Sequence, residues 1–94
     1  MYVRVVRFTG VTKERIDTLQ ARVKEAGGPP PGVKATGLSV LFDEAQGSAV
    51  VLQRFDTAAD MQDAAAVFEA MDPGETPGTR ASVDACESVL DLTP

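Results

Sequence analysis

The chain opens on Tyr2-Val3-Arg4-Val5-Val6-Arg7-Phe8, a run of β-branched and aromatic residues that predicts a strand. Gly10 ends the run, and Thr12 stands where a helix N-cap belongs, with Glu14 in the first turn. Ile16, Leu19, Val23 and Ala26 then recur on one helical face. Gly27-Gly28 signals a C-cap, and Pro29-Pro30-Pro31 forbids the helix to continue. A second strand is predicted over Val33 to Phe42, with Leu38, Val40 and Phe42 on one face. The polar stretch Asp43-Glu44-Ala45-Gln46-Gly47 has the character of a hairpin turn. Ser48 to Phe55 is a third strand, apolar on both faces around Ala49-Val50-Val51-Leu52 and therefore central.

Thr57-Ala58-Ala59-Asp60 has capping-box spacing, and Met61, Ala64, Ala65, Phe68 and Met71 form the stripe of a second helix. Asp72-Pro73-Gly74 and Thr76-Pro77-Gly78 read as tandem turns with Pro and Gly suited to type II geometry. Ala81 to Leu92 mixes apolar and acidic positions, as a partly exposed edge strand does. The order βαββαβ implies two split βαβ units and a four-stranded antiparallel sheet with both helices on one face. Strands one and three should be central, with strand four beside strand one. One domain spanning residues 1–94 is expected from the length.

Charge refines this picture. Residues 1–34 carry seven basic and three acidic residues, and residues 35–94 two and eleven. If strand four lies beside strand one, Arg4 and Arg7 are expected to face Asp84, Glu87 or Asp91 across the ladder. The net charge of −5 argues against nucleic acid as a partner, since phosphate binding needs a basic surface. Arg4 and Arg7 interrupt the apolar N-terminus, which spoils a signal peptide, and no run reaches the length of a membrane span. A cytoplasmic location without a membrane partner is expected. Thirteen alanines, twelve valines and no asparagine match the coding bias of a high-GC bacterium.

The helices can cover only one face of the sheet, and the third strand offers no clean polar face to water. A second copy of the chain is the expected cover. At this point Val5-Val6-Arg7-Phe8 before a Thr/Gly turn, and Val51-Leu52-Gln53-Arg54-Phe55-Asp56-Thr57-Ala58-Ala59-Asp60 from strand into helix, carry a resemblance. The chain resembles the dimeric α+β barrel superfamily, in which two ferredoxin-like subunits stack their sheets. The strand-to-helix junction is similar to that of the antibiotic-biosynthesis-monooxygenase group. The resemblance implies a ferredoxin-like α+β fold and a homodimer. It does not bring the group's chemistry with it. The haem-degrading branch uses His, Trp and Asn, and the quinone-forming branch Asn and Trp. This chain contains none of the three types, and the Asn and Trp positions fall at Val6 and Phe55. No cofactor is expected.

Strand alternation puts Arg4 with Tyr2, Val6 and Phe8, and Gln53 with Val51 and Phe55. If Phe8 and Phe55 face the helices, Arg4 and Gln53 lie between sheet and helices. The opposite parity, with Val3 and Val5 inward, stays open. A buried Arg4 needs a partner. An acidic side chain of the fold is expected, with a ligand carboxylate or enolate as the other possibility. The candidate cavity is lined by Tyr2, Val6, Phe8, Phe55, Met61 and Phe68, with Arg4 and Gln53 as polar anchors and Arg80 as an anion contact at the mouth. A small apolar or aromatic ligand suits it. An alternative is a cofactor-independent oxygenase or isomerase acting on a phenolic or polyketide-like substrate, with Arg4 stabilising an oxyanion and Tyr2 moving a proton. A third possibility is an interaction protein with no ligand. Cys86 is expected to be a small packed side chain. Asp56, Asp60 and Asp63 read as an acidic helix start rather than a metal site.

Overall fold

Six elements follow one another as β1 (Tyr2–Thr9), α1 (Lys13–Ala26), β2 (Gly37–Asp43), β3 (Ser48–Phe55), α2 (Ala58–Glu69) and β4 (Thr79–Glu87). They belong to a computed structural model that describes residues 1–70 and 77–92. The sheet is antiparallel with strand order β2-β3-β1-β4. The fold is ferredoxin-like α+β, with β1 and β3 central as their two-sided apolar character requires.

Register decides the parity. Tyr2 stands opposite Phe55, Arg4 opposite Gln53, Val6 opposite Val51 and Phe8 opposite Ala49. Residues paired in a ladder share a face, and Val6, Phe8, Ala49 and Phe55 are all buried. This is the face that meets the helices, so Arg4 and Gln53 point the same way. Val3, Val5, Leu52 and Val50 point to the other side, with Leu41 of β2.

Both helices start on the threonines that the spacing marks. Thr12 Oγ1 accepts from Arg15 N at 3.3 Å, and Thr57 Oγ1 from Asp60 N at 3.1 Å. Gly27 closes α1 in the left-handed region, φ 69°, returning its N–H to the Val23 carbonyl. Two core clusters result. One joins Val6, Phe8, Val11, Ala49 and Ile16 of α1, and the other joins Phe55 and Val33 with Met61 and Ala64 of α2. The stretch of sheet between them holds Arg4 and Gln53.

Three boundaries differ from the pattern of apolar residues. β2 begins at Gly37, not Val33. Val33 instead follows the turn at Pro30, whose carbonyl accepts its N–H, and plugs the second core cluster. The apolar signal at Val33 was therefore a core contact rather than a strand residue. β4 runs two residues earlier than Ala81 and stops at Glu87. Its only neighbour, β1, ends there: Glu87 pairs with Tyr2, and Ser88 N makes a last bond to the Met1 carbonyl. Val89, Leu90 and Leu92 consequently lie exposed beyond the ladder.

The expected charge ladder between β1 and β4 does not form, because Arg4 faces Ala85 and Arg7 faces Ser82. Asp84 stands opposite Val5 and Glu87 opposite Tyr2. Cys86 is exposed rather than packed, since it lies opposite Val3 on the helix-free face of the edge strand. Gly78 does not have the positive φ of a type II turn. Its constraint is steric, as a Cβ there would collide with the Thr9 carbonyl. Met71 and the Asp72-Pro73-Gly74 turn lie outside the described residues. No described helix is long and apolar enough to cross a membrane.

Candidate functional site

The gap between the two core clusters is a groove of about 1340 Å³ between sheet and helices. Its floor is Arg4, Val6 and Phe8 of β1 with Val51 and Gln53 of β3. One wall is the later half of α1, where Leu19, Val23 and Ala26 continue the apolar stripe begun by Ile16. Ile16 is buried in the core, whereas Val23 remains 37% exposed. The stripe therefore runs off its sheet contact and faces the groove. Pro29, Pro30 and Pro31 extend that wall, and Phe68 and Glu69 of α2 stand opposite with Arg80.

Arg4 dominates the floor. It is only 4% exposed, and Gln53 beside it 9%. Nη1 donates to Gln53 Oε1 at 3.1 Å, and the guanidinium carbon lies 4.9 Å from the Phe68 ring centroid, a cation–π contact. Nε is buried with no hydrogen-bond partner. No carboxylate forms an ion pair with Arg4 among the described residues. The expected acidic partner is thus replaced by a neutral amide. The physical reason is register: the residues beside Arg4 on β3, β2 and β4 are Gln53, Leu38 and Ala85. Burial lowers the pKa of Arg4, and the positive charge of Arg80 lowers it further, while Glu69 acts in the opposite direction.

Arg80 reaches the groove through a bulge. The β1–β4 register shifts between Arg7 and Phe8, which places Arg7 opposite Ser82 but Phe8 opposite Arg80. In a regular ladder Phe8 would face Ala81, and Arg80 would fall on the helix-free side with Thr9. The extra residue turns Arg80 inward. There its Nη1 bonds Glu69 Oε1 at 3.1 Å, with both side chains about half exposed. Sequence spacing alone reaches Arg80 only as the end of a loop, because a one-residue bulge leaves no mark in composition.

Of the residues expected around a cavity, Arg4, Val6, Phe8, Gln53, Phe68 and Arg80 line the groove. Tyr2, Phe55 and Met61 do not. They fill the second core cluster with Val33 and Ala64, where Phe55 is fully buried. The α1 wall and the prolines were missed by the sequence reading, although the α1 stripe itself was visible. Tyr2 shares the face of Arg4 on β1 but packs against the second core cluster instead of lining the groove. Among the described residues, no group of His, Cys, Asp and Glu is arranged to hold a metal ion. Comparison with family models, curated proteins and solved structures returns no match for this chain.

Proposed function

We propose that this chain is a small-molecule-binding protein that works as a homodimer and holds an apolar or aromatic ligand in the groove between sheet and helices. The observation that carries the reading is Arg4. A guanidinium that is almost wholly buried, bonded only to an amide and left with an unpartnered Nε, is a costly feature in a folded chain. A bound molecule that completes its hydrogen bonding offsets that cost. The apolar wall of Leu19, Val23 and Ala26 supplies the hydrocarbon contact.

The dimer is supported by the helix-free face. Val3, Val5, Val50 and Leu52 form an apolar centre there, and Leu41 beside them is 53% exposed. Stacking two such faces would cover them both, which is the arrangement of a dimeric α+β barrel. A cytoplasmic bacterial origin fits the composition.

The ligand reading is tested by a nitrogen–proton NMR titration with a panel of apolar and aromatic small molecules. Perturbations should gather on Leu19, Val23, Val51 and Gln53. A panel that shifts none of these residues would remove the groove from consideration and leave the interaction surface as the function.

A further inference from the structure

The charged lining of the groove is out of character with the chain. Among the described residues, three arginines and one glutamate line it, Arg4, Arg22, Arg80 and Glu69, a balance of +2. The whole chain carries −5. A positive, partly dehydrated concavity in an acidic protein concentrates anions and repels them elsewhere. The two arginines flanking Glu69 are also brought in by separate structural devices. Arg4 is placed by the parity of a central strand, and Arg80 by a bulge in the edge strand.

From this arrangement, and building on the proposed ligand-binding role of the same groove, we infer that the ligand is an apolar carboxylic acid bound as its anion, with the carboxylate on Arg4 and the hydrocarbon along α1. Gln53 occupies Nη1, so the guanidinium edge formed by Nε and Nη2 is the one without a protein partner among the described residues, and a carboxylate meets it side-on once the packing that covers Nε shifts. Because Gln53 turns its oxygen to Arg4, its amide N–H groups are not engaged by the guanidinium. Arg80 stands close enough to act on Arg4 electrostatically and completes a second positive contact once it leaves Glu69. Away from these groups the lining includes Leu19, Val23, Ala26 and three prolines, which offer hydrocarbon contact and no side-chain hydrogen bond. A neutral phenol or alkane would leave the arginines uncompensated, and a small hydrophilic acid would leave the α1 wall wet.

The test compares phenylacetate, 4-phenylbutanoate and decanoate with the alcohols of the same skeletons by isothermal titration calorimetry. The acids should bind at least ten-fold more tightly than their alcohols. Arg4→Gln should abolish that difference. Glu69→Gln removes the competing carboxylate and should tighten acid binding several-fold, a readout that survives if Arg4→Gln fails to fold. Acids and alcohols binding equally well would overturn the anion assignment while the groove remains a ligand site. No binding of either set would overturn both.

Discussion

Arg4 Nη1 bonds Gln53 Oε1 at 3.1 Å across the β1–β3 ladder, so the buried charge on the groove floor rests on a neutral amide. The bond pairs one nitrogen of Arg4 with the Gln53 oxygen and leaves the buried Arg4 Nε without a partner. That pairing makes the floor a place where stability and binding oppose each other.

The double replacement Arg4→Met with Gln53→Leu should therefore raise stability in the absence of ligand, by about 1–2 kcal/mol, as apolar replacements of buried polar groups often do. Methionine keeps a favourable sulfur contact with the Phe68 ring that the guanidinium now covers. Urea melts of the two proteins provide the comparison. Gln53→Ala alone should act in the reverse direction, costing about 1–3 kcal/mol, because it strands the guanidinium. A double variant less stable than the parent would mean that Arg4 is a structural residue.

Gly78 is held by backbone proximity rather than by its φ angle. Gly78→Ala should cost about 1–3 kcal/mol, since the Thr9 carbonyl and Val11 cannot both retreat. Gly28 has open space where a Cβ would sit and no positive φ, so Gly28→Ala should be neutral or slightly stabilising. Thermal melts of the pair separate the two cases, and equal losses would refute the steric account.

The helix-free face predicts a change in assembly without a change in fold. Leu41→Lys puts a charge on the apolar centre beside Val50. The parent should sediment as a dimer at micromolar concentration and the variant as a monomer, with the same far-ultraviolet circular dichroism. A parent that sediments as a monomer would show that this face does not pair with itself.

The second core cluster and the α1 wall of the groove should differ in their tolerance of truncation. Phe55 is 0% exposed at the centre of the second core cluster, and Phe55→Ala should cost about 3–5 kcal/mol. In a domain with the usual stability of about 5–15 kcal/mol, that loss is a large fraction of the total. Val23 on the α1 wall faces the groove and packs on nothing comparable, so Val23→Ala should cost about 1 kcal/mol or less. It should nevertheless weaken binding of a long apolar ligand. Denaturant melts and calorimetry on both variants test the contrast.

Much of the fold is legible in local chemistry. Thr12 and Thr57 announce the helix starts, Gly27 and the prolines announce the end of α1, and the apolar runs around Val5 and Val51 announce central strands. These signals act within a few residues, through caps, φ preferences and periodicity, so no knowledge of distant contacts is needed. The limits of β2 and β4 were less legible, because a strand ends where its neighbour ends. Val33 is apolar for the sake of the α2 cluster, and β4 stops because β1 runs out at Met1.

Local pattern carries the element order, the antiparallel sheet and the grouping of Arg4 with Val6 and Phe8 and of Gln53 with Val51 and Phe55, since alternation along a strand has a period of two. The assembled fold is what puts Arg4 and Gln53 together on the face that meets the helices, gives Arg4 an amide instead of a carboxylate, and turns Arg80 inward at a bulge. Those outcomes depend on which residues from distant parts of the chain are brought into register. Local propensity does not carry that information, because a shift of one residue in the ladder leaves every local preference unchanged while moving a side chain to the opposite face.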